Sequence, residues 1–327
     1  MISDERRELN QISTSAGKTL LITSSIDATS DLFVHRAHGE VFRLNSDIME
    51  EYKLELSTEG FRIQDPIGRS IELNQITAAY WRKPMGGLAR MQSDTSDAAH
   101  EKEQRRHVCL DLAGICRDAG IWMLVDPWAE SANTRSRQLR AAASLFRVPH
   151  WRISCGVRVA VETPSVVKAL TATPFHDGTV LAVARIPFGS NLSAAHTWYV
   201  QDVVDATHDV TAVWCCGRVF AYSLDRSKLD GQVDWRVHPG AMSGDIPWCR
   251  WEIPTAMAEA IRLLMSRLNL NYGRLDFLID RDRNWWFLEV NPNGQYAWLD
   301  LHGNDGLLDW VCGCAVRQPV AELVVSE

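Results

Sequence analysis

The residues best suited to chemistry in this 327-residue chain lie close together near its C-terminal end. Two apolar stretches, residues 273–280 and 285–292, flank the charged segment Arg281-Asp282-Arg283-Asn284. Apolar runs on either side of a short polar loop read as a β-hairpin. With residues 281–284 as the loop, Asp280 faces Trp285 and, counting outward, Asp276 faces Glu289. Directly opposed residues share a face of the sheet, and Asn291 lies on that face because strand side chains alternate. Two carboxylates and an amide carbonyl thus converge at the open end of the hairpin. A hard cation such as Mg2+ takes oxygen ligands of this kind and commonly shares its shell with nucleotide phosphates. The plain alternative is a rim of solvated charges beside a turn. The opposition of Asp276 and Glu289 weighs against it, because two carboxylates this close repel unless a cation lies between them.

A hairpin needs a scaffold, and the chain is long enough for two or three sub-domains. Its apolar fraction is 46% and its charged fraction 23%, values ordinary for a globular protein. The net charge of −7 argues against a broad nucleic-acid footprint. No window approaches the about 18 consecutive apolar residues of a membrane helix. The run Leu20-Leu21-Ile22 is too short for a signal peptide. A cytoplasmic protein without a membrane partner is expected. The eight cysteines show no zinc or redox spacing, which points to reduced thiols.

Over residues 18–125, strand and helix patterns alternate. Strands are expected at 18–23, 41–44, 76–81 and 121–125, and helices at 27–39 and 98–119, which suggests an α/β layer. Short strands at 54–56, 61–63 and 70–73 surround the turn at Asp65-Pro66-Ile67-Gly68. A helix is expected over 131–145, carrying Arg135, Arg137 and Arg140. Strands at 165–170, 180–186, 197–203, 211–214 and 218–223 follow, then a helix over 254–268 that leads into the hairpin.

The stretch Glu289-Val290-Asn291-Pro292-Asn293-Gly294-Gln295, with Trp298 after it, closely resembles the ATP-grasp ribosomal peptide maturases, the microviridin-type or graspetide macrocyclases. Shorter stretches in the same order extend the resemblance over most of the chain. They are Tyr80-Trp81-Arg82-Lys83-Pro84, residues 133–139, Pro164-Ser165-Val166-Val167-Lys168, Gln201-Asp202-Val203-Val204, Gly217-Arg218-Val219-Phe220-Ala221 and Asp234-Trp235-Arg236. The resemblance implies an ATP-grasp fold of the α/β (α+β) class. An N-terminal pre-ATP-grasp domain would span 1–127, a small central domain 128–200, and a C-terminal antiparallel-sheet domain 201–327.

The resemblance further implies ATP and Mg2+ as cofactors, with Asp276, Glu289 and Asn291 on the metal. Lys168 and Arg135 would meet the nucleotide phosphates, and Gln201, Asp202, Val203 and Val204 the adenine. Arg236 would stabilise the transferred phosphoryl group, and Arg185 that group or the acceptor carboxylate. Surface ion pairs are the plain readings of these arginines, and a Lys snorkelling to solvent is that of Lys168. Arg82 and Lys83 are candidates for substrate anions or for a solvated strand end. His176-Asp177-Gly178 reads as a loop over ATP or as a simple turn.

Two positions depart from the family pattern. Arg135 stands where a Lys is usual, and Arg can still grip a phosphate bidentately. Thr211, in His208-Asp209-Val210-Thr211, stands where an Asp-x-Arg pattern carries its Arg. Arg185 or Arg236 would have to supply that charge, or the substrate differs, or turnover is impaired.

The implied reaction transfers a phosphoryl group to Asp or Glu side chains of a ribosomal precursor peptide, leader plus core. Thr or Ser hydroxyls or Lys amines then attack, closing macrolactone or macrolactam rings. A small-molecule or protein-tailoring carboxylate–amine ligase is the nearest alternative, and a nucleotide-binding module without turnover is one of another class. A homodimer is compatible with either ligase. No G-x-x-x-x-G-K-[ST] loop and no G-x-S-x-G elbow is present, which argues against P-loop NTPases and α/β-hydrolases.

Overall fold

The computed structural model describes residues 17–37, 39–90, 95–170 and 183–316. His176-Asp177-Gly178 lies outside the described residues. The chain forms two compact units, residues 1–130 with 295–327 and residues 131–294. The first unit's first segment ends near residue 127, residue 200 lies inside a strand, and the described residues from Gln295 group with the first unit.

The first unit is built on a parallel sheet. Its strands are β1 (Lys18–Thr23), β2 (Val41–Asn45), β6 (Ile76–Trp81) and β7 (Trp122–Met123), in the order β2-β1-β6-β7. Between β2 and β6, strands β3 (Lys53–Ser57), β4 (Gly60–Gln64) and β5 (Ser70–Glu72) form an antiparallel meander. Leu20, Leu21 and Ile22 have no exposed surface, as a strand covered on both faces requires. The crossover helix Ala28–Arg36 starts at Asp27, whose carboxylate accepts the Ser30 N–H at 3.0 Å, a standard N-cap. The helix Ser96–Asp118 is capped likewise by Thr95. Helix Leu307–Ala315, buried almost throughout, belongs to this unit. It accepts the Trp122 indole N–H on the Cys314 carbonyl at 2.8 Å.

The second unit contains two larger antiparallel sheets and a short two-stranded one. The four-stranded sheet joins β8 (Trp151–Ser154), β10 (Ser165–Lys168), β11 (Ala184–Ile186) and β13 (Trp198–Asp202), in the order β11-β10-β13-β8. Strands β9 (Val159–Ala160) and β12 (Asn191–Leu192) pair beside it. The five-stranded sheet runs β16-β15-β14-β17-β18. Its members are β14 (Ala206–Cys215), β15 (Arg218–Asp225), β16 (Cys249–Trp251), β17 (Tyr272–Asp280) and β18 (Trp285–Asn291).

Helix Thr255–Leu268 buries Ala260, Ile261, Leu264, Met265 and Leu268. That spacing puts one apolar stripe on a 3.6-residue helix, and Asn269 ends the helix at φ 55°. The helix expected over 131–145 is shorter here. It runs Arg135–Ala142, with Thr134 at its N-cap position. It lies against β18, where the Gln138 side chain accepts the Val290 N–H at 2.9 Å.

Candidate active site

One row of side chains crosses three strands of the five-stranded sheet. Thr211 on β14 pairs with Asp276 on β17, and Asp276 pairs with Glu289 on β18. The opposition of the two carboxylates is as expected, but the path to it differs. Ile279, not Asp280, faces Trp285. The turn holds three residues, Arg281 to Arg283, and Arg283 adopts φ 63°. A three-residue hairpin closes through such a left-handed residue. Leu288 is then the extra residue of a bulge between the pairs Phe277–Phe287 and Asp276–Glu289. The bulge shifts the register back by one, so Asp276 still meets Glu289.

Asp280, at the mouth of the turn, accepts from Asp282 N at 3.0 Å, Asn284 N at 2.8 Å and Trp286 Nε1 at 2.8 Å. The Trp286 bond first, and then the Asn284 and Asp282 bonds, hold its carboxyl down at about 2. Asp280 is a turn residue, held by the hairpin's own N–H groups.

The row faces a cavity of about 310 Å3 inside the second unit. Arg135, Lys168, Arg185, Gln201, Asp202, Val203, Val204, Arg236, Asp276 and Glu289 all line it. Ten of the eleven residues expected at the site are therefore brought together. Asn291 is not among the lining residues. It sits one step further along β18, paired with Arg274, and its Oδ1 accepts the Asn293 N–H at 3.1 Å.

Four acids of the cavity, Asp209, Asp234, Asp276 and Glu289, carry arginines. Arg135 pairs with Glu289, and Arg274 Nη2 lies 3.2 Å from Asp276 Oδ2. Thr211 Oγ1 donates to Asp276 Oδ1 at 2.9 Å. Arg226 Nη1 meets Asp209 Oδ2 at 2.6 Å, and Arg236 forks onto Asp234 at 2.8 and 2.7 Å. The repulsion expected between Asp276 and Glu289 is thus relieved by guanidinium groups. Burial would raise the Asp234 carboxyl, but Arg236 outweighs it and holds Asp234 below the usual range. At Asp209 burial wins over Arg226, and the carboxyl is pushed up to about 6.

Lys168 has a different partner. Its ammonium donates at 2.7 Å to the neutral Gln201 Oε1. Burial first, and then Arg135 and Arg236, lower it to about 8. Gln201 is 1% exposed, and its Nε2 meets no hydrogen-bond partner among the described residues. A buried amide of this kind is costly unless something else satisfies it.

The residues present fit a metal-bound nucleoside triphosphate. Lys168, Arg135, Arg185 and Arg236 reach the cavity from different elements, and apolar Val166, Val203 and Leu288 offer wall for a base. Gln201 Nε2 is a waiting donor, and the Asp276–Glu289 pair supplies hard oxygen ligands. Of the linker segment, Asp202 N and Val203 N are spent on the His150 and Pro164 carbonyls.

Arg82 is not at a solvated strand end. It is fully buried in the first unit, 3.3 Å from Asp27 Oδ2 and over the Tyr296 ring. Asp209, from the stretch that stands at the Asp-x-Arg pattern, lines the cavity; Arg226 and Arg274 also line it but were not expected there. Arg274 could have been found, since it precedes Asp276 by two residues and strand alternation puts both on one face. Arg226 follows the end of β15 in a 3-10 turn, where no periodicity marks it.

This two-sheet cavity with a carboxylate hairpin is the architecture of the ATP-grasp ligases, and the chain has that fold. It overlays on macrocyclase MdnC of Microcystis aeruginosa MRC, solved with precursor peptide MdnA, at a TM-score of 0.73 and 20% identity, over 92% of this chain and 100% of that one. A RiPP-associated ATP-grasp ligase of Chryseobacterium gregarium, solved with ADP and a leader and core peptide, gives 0.73 and 18% over 93% and 98%. The ATP-grasp ligase PsnB, solved with a phosphomimetic minimal precursor, Mg and ADP, gives 0.66 and 14% over 92% and 98%. No protein-family model matches the chain, and no curated protein matches it in sequence.

Proposed function

We propose that this chain is an ATP-dependent carboxylate ligase of the graspetide macrocyclase family. It activates Asp or Glu side chains of a ribosomal precursor peptide and joins them to Thr or Ser hydroxyls or to Lys amines. The observation that carries the reading is the Asp276–Glu289 pair facing the cavity that holds Lys168 and Arg236. The peptide complexes of MdnC and of the Chryseobacterium ligase support the choice of substrate.

Mg-ATP would supply the γ-phosphoryl group, leaving ADP, to activate a carboxylate as an acyl phosphate; the hydroxyl or amine would then attack the acyl carbon, releasing inorganic phosphate and a proton. Asp276 and Glu289 hold the metal, with Asn291 beside them on β18. Lys168 and Arg135 neutralise the phosphates, and Gln201 to Val204 receive the base. Arg236 lies where charge moves from donor to acceptor. Fixed charges of this kind lower the barrier because they need no reorganisation during the reaction. Thr211 leaves its position on β14 without charge, so Arg236 and Arg185 serve the acceptor side.

Such an enzyme works in the cytoplasm, beside the ribosomal product it modifies. No helix of the described residues is long and apolar enough to cross a membrane. The test is incubation of the purified protein with ATP, Mg2+ and candidate precursor peptides rich in Asp, Glu, Thr and Ser, followed by mass spectrometry. One water is lost per crosslink, matched by one ADP. A peptide that keeps its full mass sinks the substrate assignment.

A further inference from the structure

Arg236 does not reach the cavity from a strand. It stands on the segment after β15, and that segment must be held for Arg236 to be held. Two devices hold it. One is an apolar cluster of Leu224, Leu229 and Ala241, with Trp235, Ile246 and Trp248 packed on it. The other is a single guanidinium. Arg226 Nη1 donates to Asp209 Oδ2 on β14 at 2.6 Å, while Nη2 donates to the carbonyls of Gln232 at 2.9 Å and Val233 at 3.3 Å.

The next residue, Asp234, is 6% exposed. It accepts the Arg236 backbone N–H at 3.1 Å and both arms of its fork. A continuous series of charged and hydrogen-bonded groups therefore runs from β14 to the Arg236 guanidinium.

We infer that Arg226 is a positioning residue for the phosphoryl-transfer arginine: it clamps residues 232–233 to Asp209 and so sets where Asp234 presents Arg236. The inference rests on the nucleotide reading given above. Its physical basis is the planar fork of Arg, which bridges one carboxylate and two carbonyls at fixed angles. Lys offers a point charge and cannot span all three acceptors. Asp209 is nearly buried and tuned by the same contact, so the clamp is anchored in a strand rather than in solvent. Small displacements of a charge-stabilising group carry a large cost in such sites.

The test is a mutant cycle read by calorimetric binding of Mg-AMPPNP and Mg-ADP. Arg236→Ala should weaken the triphosphate analogue relative to ADP by about tenfold, the size of one charge-assisted contact. Arg226→Ala should lower the same ratio several-fold and leave ADP binding nearly unchanged. Adding Arg226→Ala to Arg236→Ala should then cost nothing more, because the clamp has nothing left to position. Arg226→Lys should recover part of the ratio, and Asp209→Asn should lose part of it.

An unchanged ratio in Arg226→Ala overturns the inference. So do additive losses in the double variant, which would mean that Arg226 touches the phosphate itself. If Arg226→Ala does not fold, the same cycle run with Arg226→Lys decides on the same criteria. A wild-type protein that binds neither nucleotide fails the ATP reading, and this inference with it. A protein that binds both but shows no Arg226 effect fails the inference alone.

Discussion

Glu289 stands directly opposite Asp276 across β17 and β18, and each is already held by a guanidinium, Arg135 on Glu289 and Arg274 on Asp276. The arginines offset the repulsion between the two carboxylates and let them lie side by side. With a divalent ion bound, Asp276 and Glu289 would hold it, and Arg135 would be available to pair with a phosphate. Replacing Glu289 by Gln removes the charge and keeps the shape. ADP formation should fall by at least about 100-fold, as expected when a metal-borne electrostatic contribution of several kcal/mol is lost. The fold should persist, as judged by an unchanged or raised melting temperature. Activity within a few-fold of the unmodified enzyme would show that this pair does not hold the metal.

Lys168 makes nucleotide binding sensitive to mildly alkaline pH. Burial and neighbouring arginines lower its ammonium to about 8. The protonated form is the one that pairs with phosphate, so binding is strongest below that value. As pH rises through about 8, the free protein loses the proton and must regain it to bind. The dissociation constant of Mg-AMPPNP should be level between pH 6 and 7.5 and rise above about 8. In Lys168→Met binding should be weaker at every pH and lack this rise. A curve for the variant that keeps the same inflection would assign it to another group.

How far the site could be read from the residues depended on the range of each interaction. The Asp276–Glu289 opposition follows from strand alternation inside one hairpin, a local rule. It held although the turn is one residue shorter than counted, because the bulge at Leu288 compensates. Bulges leave no composition signal, so that compensation was not legible. The cavity residues Lys168 and Gln201 came from short motifs, but their mutual bond depends on β10 pairing with β13. Arg82 was misread because its counter-ion, Asp27, lies 55 residues away in sequence. Arg226 was missed because its three acceptors come from a distant strand and an irregular loop.

Asp280 stabilises the hairpin turn in a pH-dependent way. Its carboxylate accepts four N–H groups from Asp282, Asn284 and Trp286. Its folded-state carboxyl sits at about 2, below the ordinary 3.8. A depressed carboxyl contributes stability that is fully present above its unfolded value and lost as pH falls through the folded one. The unmodified protein should therefore be more resistant to urea than Asp280→Asn at pH 7. That advantage should shrink between about pH 4 and pH 2. A gap that stays constant down to pH 2 would show that shape, not charge, is what the turn uses.

Arg82 is a stability residue, not a substrate residue. It is fully buried against Asp27, which is 3% exposed at its side chain. Removing one partner strands a buried charge, at a cost of roughly 3–5 kcal/mol. Arg82→Ala should lower the melting temperature strongly or prevent accumulation of folded protein. Where folded protein is obtained, its affinity for Mg-AMPPNP should match the unmodified chain. A stable variant with weakened peptide binding would restore the substrate role.

Gly294 sets the spacing at the Glu289–Asn291 end of β18. A Cβ built on it would lie 2.6 Å from Arg274 Cβ and 3.3 Å from the Asn291 carbonyl oxygen. The Arg274 contact involves the root of a side chain on β17, which cannot move without moving the strand. The Gly294 carbonyl accepts the buried Tyr272 hydroxyl at 2.7 Å, so Gly294 cannot simply swing away. Gly294→Ala must therefore displace either Arg274, and with it the Asp276 contact, or the Asn291 turn. Overpacking of this kind costs about 1–3 kcal/mol of stability. The larger effect should be catalytic, since a shift of about 1 Å in a positioned group can reduce turnover by about 100-fold. Gly294→Ala should lower kcat by at least about tenfold while the KM for ATP changes little, because Lys168 and Gln201 lie on the other sheet. A variant that loses affinity for ATP but keeps kcat would place the strain at the nucleotide and not at the metal.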